Sequence, residues 1–320
     1  MKYEDKQSSE LLTEIKFQKT LLDLPALCYL FFLEYKTVYK KNTLLDYAYA
    51  FRFFFNYFCD KNGTLVQSFD FDELNKLTEE NLREFYNFSY DAKGLNSTRK
   101  TLFILRTFYN FLVAKKLVKE NLVLNIRMPK RIDKQIVFMS ESEMQRILDA
   151  VDETESNQRH IVAERDKTIL MMFLHTGLRL AEVIKLNVGD IDIDNGMFTV
   201  MRKFDKHSTI YISDNLKSRL KFFLENRKPD EPLFMSNQNK RFSPRGLHDI
   251  IVKYRRKAGI TKNITAHKFR STFGVKVYSE TKDIYLTADL LDHFDVRNTT
   301  RYYVPVCDER KRNTIKNLYN

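Results

Sequence analysis

Residues 176–186 read Thr176-Gly177-Leu178-Arg179-Leu180-Ala181-Glu182-Val183-Ile184-Lys185-Leu186, and the patterns on either side of them set the architecture. Upstream, residues 164–175 carry apolar side chains at helical spacing, and Thr176-Gly177 breaks that helix. A second helix starts at once and runs from Leu178 to Leu186. Downstream the period changes to two. Met197-Phe198-Thr199-Val200-Met201 and Thr209-Ile210-Tyr211-Ile212 read as paired strands, joined across Phe204-Asp205-Lys206-His207. After Asp214 the pattern is helical again, with loops near Lys228-Pro229-Asp230 and Phe242-Ser243-Pro244. One hairpin among helical runs predicts a mostly α domain with a small β-hairpin or sheet.

Working outward, Ser140-Glu141-Ser142-Glu143 forms a capping box before Met144, Ile147 and Leu148, which opens this domain at residue 140 and extends it to residue 320. Residues 128–139, with Pro129, Lys130 and Arg131, are basic and lack apolar periodicity, as a linker does. Residues 1–127 read as a separate helical domain. Its helices span Pro25 to Tyr39, then Asn42-Thr43 to Asn62-Gly63, then a run following Thr78, then one starting near Asn96-Ser97, with Gly94 between the last two. The stripe Phe51, Phe54, Phe55, Phe58 has the spacing of a core face rather than a base-stacking platform.

The chain has 320 residues, 43% of them hydrophobic and 13% aromatic, enough for two ordinary cores. A formal net charge of +12 favours a polyanion as partner, because Lys and Arg release counterions when they neutralise phosphates. Cys28, Cys59 and Cys307 are odd in number and widely spaced, which suits neither a disulfide framework nor a zinc site and fits a reducing compartment. The first residues lack an apolar signal core, and no stretch approaches the roughly 20 apolar residues of a membrane span. A cytoplasmic protein with no membrane role is the expectation.

Several residues suit phosphate chemistry. Arg179 follows a glycine break at a helix start, where free N–H groups and a planar guanidinium fork can meet phosphate oxygens; taken alone it would equally be a surface arginine paired with Glu182. Lys203 and Lys206 lie at the hairpin end and turn, where a lysine can reach into a groove and protonate a leaving oxygen, or simply solubilise the turn. His267 and Arg270 are three apart and share a helix face. His293 precedes Tyr302 by nine residues, and a phenol there can attack phosphorus if neighbouring cations stabilise the transition state.

Taken in order, Arg179 in "TGLRLAEV", Lys203 on a hairpin, His267-x-x-Arg270, His293 and Tyr302 resemble the tyrosine recombinase (phage integrase) family. "NTLLDYAYAFRFFFNYF" and "NSTRKTLFILRTFYNFL" resemble its core-binding domain, and "MSESEMQRIL" the opening of its catalytic domain, so the resemblance runs over roughly residues 20 to 315. It implies a site-specific recombinase in which Tyr302 forms a 3′-phosphotyrosine link and Arg179 and Arg270 clamp the scissile phosphate. Lys203 would protonate the 5′ oxygen, with Lys206 its rival. His267 would assist proton transfer at the phenol, His293 would bond the phosphate, and Glu182 would support Arg179. Neither metal nor other cofactor is implied.

The resemblance further implies a two-domain clamp on duplex DNA, with Asn42, Thr43, Thr98, Arg99, Lys100 and Arg106 as contacts beside Lys130 and Lys206. It also implies a homo-tetramer on two DNA sites through the tail after Tyr302, acting on the bacterial nucleoid. A mobile-element integrase or transposase is the leading expectation. A Xer-type chromosome-dimer resolvase, a type IB topoisomerase and a catalytically silent DNA-binding protein are the alternatives. The sequence departs from the family pattern at two places: Arg202-Lys203-Phe204 stands where Gly-Lys-Gly is frequent, and Leu291-Asp292-His293 where Leu-Gly-His is common. Tyr303 adjoins Tyr302, and the nine-residue offset from His293 favours Tyr302 as nucleophile.

Overall fold

A computed structural model of the chain describes residues 2–128, 130, 136–151, 157–202, 207–292 and 296–303. The chain divides into two compact units, residues 2–133 and residues 134–320.

The first unit is helical: α1 (Lys2–Leu22), α2 (Leu27–Tyr35), α3 (Lys41–Asn62), α4 (Phe71–Lys76) and α5 (Glu79–Ala114). On α3 the side chains of Leu44, Tyr47, Ala48, Phe51, Phe54, Phe55 and Phe58 recur every three or four residues and are all buried. They form the core with Phe31, Phe85 and Phe108, so the aromatic stripe is core, as its spacing predicts. Gly63 ends α3 in the left-handed region (φ 65°), donating its N–H to the carbonyl of Cys59. Thr78 caps α5 through a reciprocal box with Asn81. Gly94 (φ 72°, ψ 172°) splits α5 where the sequence separates two helices.

Three local features differ from the sequence reading. Helix α3 begins at Lys41 after an extended Lys40, one residue before the expected start at Asn42-Thr43. Helix α1 is absent from the sequence reading: its sequence is mostly polar, and among its described side chains Phe17, Thr20 and Leu21 are buried while Leu11, Leu12 and Ile15 are exposed. Tertiary contact with α2 and α3, such as the Phe17–Phe32 ring pair at 5.2 Å, holds it where periodicity is weak. The short α4 was also missed; Asp70 caps it, accepting from the Glu73 N–H at 2.9 Å.

The second unit contains α6 (Glu141–Asp149), α7 (Asn157–Thr176), α8 (Leu180–Lys185), a sheet, then α9 (Asp214–Leu224), α10 (Pro244–Lys257), α11 (Ala266–Thr281), α12 (Ile284–Leu290) and α13 (Val296–Tyr303). The capping box of α6 forms as read: the Glu143 N–H donates to Ser140 Oγ (3.2 Å) and the Ser140 N–H to Glu143 Oε2 (2.8 Å). Antiparallel strands β1 (Ile191–Asp192), β2 (Met197–Met201) and β3 (His207–Tyr211) lie in that order, with Phe198 opposite Ile210. Phe198, Val200 and Ile210 turn inward while Thr199 and Met201 face out, the alternation of a one-sided sheet. Two-residue β1 adds a strand to the expected hairpin. Helix α7 is the central element; Ile169, Leu170, Met172 and Phe173 are fully enclosed, and Phe173 meets Phe269 of α11 at 5.8 Å.

Candidate active site

The break after α7 requires glycine. Gly177 has φ 61°, and a Cβ there would run into the ring of Phe273. This turn delivers Arg179 to the N-cap position of α8 in extended conformation. Glu182, one turn on, then fixes it from two sides. Its Oε2 accepts the Arg179 backbone N–H and its Oε1 accepts guanidinium Nη1, both at 2.8 Å. The Glu182 side chain is 9% exposed and that of Arg179 is 42% exposed, so the carboxylate anchors and the guanidinium faces outward. Helix α8 has only six residues, so the positive charge here comes from the guanidinium rather than from the helix start.

Arg270 lies on α11 and is 3% exposed. Its Nη1 donates to the Gly177 carbonyl at 2.8 Å and its Nη2 to the Leu291 carbonyl. One fork thus ties the turn before α8 to the end of α12. Arg179 Nη2 reaches the next carbonyl, that of Asp292, at 3.5 Å. The two guanidiniums therefore converge on consecutive carbonyls, immediately before His293. His267, one turn before Arg270, is exposed at its edge. Partial burial, and then the charges of Lys268, Arg270 and Arg179, hold its imidazole below the ordinary histidine pKa, so the neutral ring is favoured. Helix α13, which rests against α11 and α12, carries Tyr302.

Four assigned positions lie outside the described residues: Lys203, Lys206, His293 and the side chain of Tyr302. The tail at residues 304–320 lies outside them too. The structure adds two residues that sequence reasoning met only as departures from a pattern. Arg202, at the end of β2, has a side chain 2% exposed, and its Nη1 lies 3.2 Å from Asp292 Oδ2. The same oxygen lies 3.7 Å from Arg179 Nη1. Asp292 adopts φ 47°, a left-handed conformation that aspartate tolerates better than most residues. The available signal was that both departures replace a frequent glycine, with charges of opposite sign.

In the first unit, Asn42 is exposed and accepts from Thr13 Oγ1 (3.3 Å), Thr43 and Arg99 are half-buried, and Lys100 is exposed in an ion pair with Asp46 (2.9 Å). Lys130 is exposed. One expected DNA contact, Thr98, is enclosed in the core. Thr98 is fully buried, bonded to Ser89 and, as a back-bond to the carbonyl four residues earlier, to Gly94, at 3.1 Å each. Arg106 braces the following segment, donating to the carbonyls of Val123 (3.3 Å) and Ile126 (2.7 Å). Among the described residues there is no cluster of three His, Cys, Asp or Glu that could hold a metal, and no helix long and apolar enough to cross a membrane.

Residues 137–310 match the model of the phage integrase family. The tyrosine recombinase XerC of Leptospira interrogans serogroup Icterohaemorrhagiae serovar copenhageni (strain Fiocruz L1-130) is 28% identical over 312 residues, covering 95% of this chain and 94% of its own. The fold resembles XerH site-specific recombinase bound to a palindromic difH substrate in a post-cleavage complex. That match has TM-score 0.67 and 18% identity, over 87% of this chain and 80% of that one. It also resembles a lambda integrase tetramer bound to a Holliday junction, with TM-score 0.64 and 16% identity, over 82% of this chain and 74% of that one.

Proposed function

This chain belongs to the phage integrase family and is a site-specific tyrosine recombinase, which cleaves and rejoins DNA; from that premise we propose that Tyr302 is its nucleophile and Arg179 and Arg270 its phosphate clamp. The observation that carries this reading is the convergence of the two guanidiniums on the Leu291–Asp292 turn, just before His293 and the helix bearing Tyr302.

The phenol oxygen of Tyr302 attacks phosphorus, and the bond from phosphorus to the 5′ oxygen breaks. Neutral His267 takes the phenol proton, and Lys203 gives a proton to the departing 5′ oxygen, with Lys206 the rival donor. His293 donates to a phosphate oxygen, while the two guanidiniums offset the charge that builds on the pentacoordinate phosphorus. The 3′-phosphotyrosyl ester keeps the bond energy, so a 5′ hydroxyl from another strand rejoins it by the reverse steps.

Asn42, Thr43, Arg99, Lys100, Arg106, Lys130 and Lys206 contact the duplex in this reading. The tail after Tyr302 docks on a neighbouring protomer, giving a tetramer on two DNA sites. The protein then works in the bacterial cytoplasm, on nucleoid DNA, integrating or excising a mobile element. A Xer-type chromosome resolvase is the second reading, favoured by the likeness to the Leptospira XerC along nearly its whole length.

The DNA beside the gene separates the two. Inverted repeats around a short spacer at the ends of a discrete element support the first reading, and a single such site elsewhere on the chromosome supports the second. A nicked suicide duplex carrying that site is expected to trap a covalent complex with the wild-type chain and none with Tyr302→Phe. A complex that persists in Tyr302→Phe but vanishes in Tyr303→Phe overturns the nucleophile assignment.

A further inference from the structure

Arg202 is a strand-end arginine that a solubilising role does not explain. Its side chain is 2% exposed, its Nε makes no hydrogen bond among the described residues, and Asp292 lies in ion-pair contact with it. Burying a guanidinium costs several kcal/mol unless a carboxylate offsets it. Asp292 does so from a left-handed turn, and the same oxygen faces Arg179. Glu182 and Asp289 add to the attraction on Arg202, while Arg179 opposes it.

The placement is more telling than the pair itself. Arg202 immediately precedes Lys203, and Asp292 immediately precedes His293. The contact therefore ties together the two backbone positions from which an acid and a phosphate donor would project, and it adjoins Arg179. It is also neutral as a unit. Among the described residues, three guanidiniums (Arg179, Arg202 and Arg270) stand against three carboxylates (Glu182, Asp289 and Asp292). Deleting the pair together leaves the clamp's net charge unchanged, whereas deleting one partner shifts it by one unit.

We propose that Arg202 and Asp292 are paired positioning residues: their ion pair sets the end of β2 and the turn after α12 at the spacing the phosphate clamp needs, and keeps the Asp292 carboxylate from competing with phosphate for Arg179. The proposal rests on the clamp reading above. With Arg202 neutralised, the carboxylate remains on the Arg179 side and opposes phosphate entry. With Asp292 neutralised, a buried cation is left uncompensated and the strand end is released.

The test is a double-mutant cycle of Arg202→Gln, Asp292→Asn and Arg202→Gln/Asp292→Asn in the full chain. It measures the single-turnover cleavage rate of the nicked suicide duplex at saturating DNA, the Kd for the same duplex, and the melting temperature. Each single substitution is expected to slow cleavage roughly 10- to 100-fold, the scale of small misplacements at a reacting centre, with Arg202→Gln the slower. The double variant is expected to cleave no more slowly than the slower single, since two partners in one tether lose the same contact and their effects do not add. Kd is expected to stay within about threefold throughout, because other phosphate contacts carry binding.

Three results overturn the proposal: single variants that cleave at the wild-type rate, a double variant as slow as the product of the singles, or rate losses that merely follow losses of melting temperature and folded fraction. A wild-type chain that forms no covalent complex fails the clamp reading first, and the proposal with it.

Discussion

Around Phe51 the first unit buries ring against ring, with the centroids of Phe108, Phe31 and Phe32 at 4.3, 5.4 and 5.5 Å. The second unit encloses charge: Arg165, Asp166, Arg202 and Arg270 are each at most 9% exposed. Arg165 Nε donates to Asp166 Oδ1 at 3.0 Å, Tyr254 Oη donates to Asp166 Oδ2 at 3.0 Å, and the Arg165 guanidinium lies over the Phe242 ring at 5.0 Å. Apolar burial is roughly proportional to area and weakly directional, so rings suit a stable platform. Buried charge costs free energy unless each partner is in place, so it is retained where geometry itself is the product. The first unit is built for stability and the second for position.

The largest expected effect tests the ring side of this contrast. Phe51→Ala should destabilise the first unit by about 3–5 kcal/mol, the usual cost of truncating an enclosed phenylalanine, as read by thermal or urea denaturation. The folded fraction should still cleave DNA at the wild-type rate when DNA saturates. A cleavage defect without a loss of stability would break the contrast.

Next in size is the buried fork on α11. Arg270→Lys keeps the charge but cannot hold the Gly177 and Leu291 carbonyls together. Single-turnover cleavage should fall by roughly 10²- to 10³-fold, the loss typical of removing one transition-state donor. A fall of less than tenfold would mean that charge alone, without the fork, suffices.

The smallest effect concerns His267, whose folded-state pKa lies below its ordinary 6.5. Well above pH 6.5 the ring is neutral in both folded and unfolded chains, so it makes no difference to stability. As pH falls below 6.5 the unfolded chain takes up a proton that the folded ring resists, and stability is lost down to the folded pKa. Melting curves of wild type and His267→Gln should therefore diverge below pH 6.5, with the variant losing less. Divergence in the opposite sense would mean that the folded ring is charged, which would remove it as a proton acceptor.

The legible features share a local origin. Gly63, Thr78 and Ser140 mark helix ends because a cap satisfies backbone groups within four residues of itself. The inward stripe of α3 follows from helical period, and the hairpin from a change of period. Arg179, His267 and Arg270 could be picked out because each lies beside a helix break or on a helix face. Helix α1 and strand β1 escaped, since one has few buried side chains and the other only two residues. Thr98 was misplaced for a different reason. A threonine beside basic residues looks like a surface donor, and only the packed structure shows that it is enclosed.

By itself the sequence determined the helical frames, the glycine turn before Arg179 and the set of groups able to hold and attack a phosphate, because spacing within one element dictates which side chains share a face. Tertiary structure alone decided that the guanidiniums of Arg179 and Arg270 end on consecutive carbonyls, and that Arg202 closes on Asp292. These contacts join β2, α8, α11 and the turn after α12, segments far apart in the chain. Ion pairing across such distances follows the packing of whole elements, which no local period records.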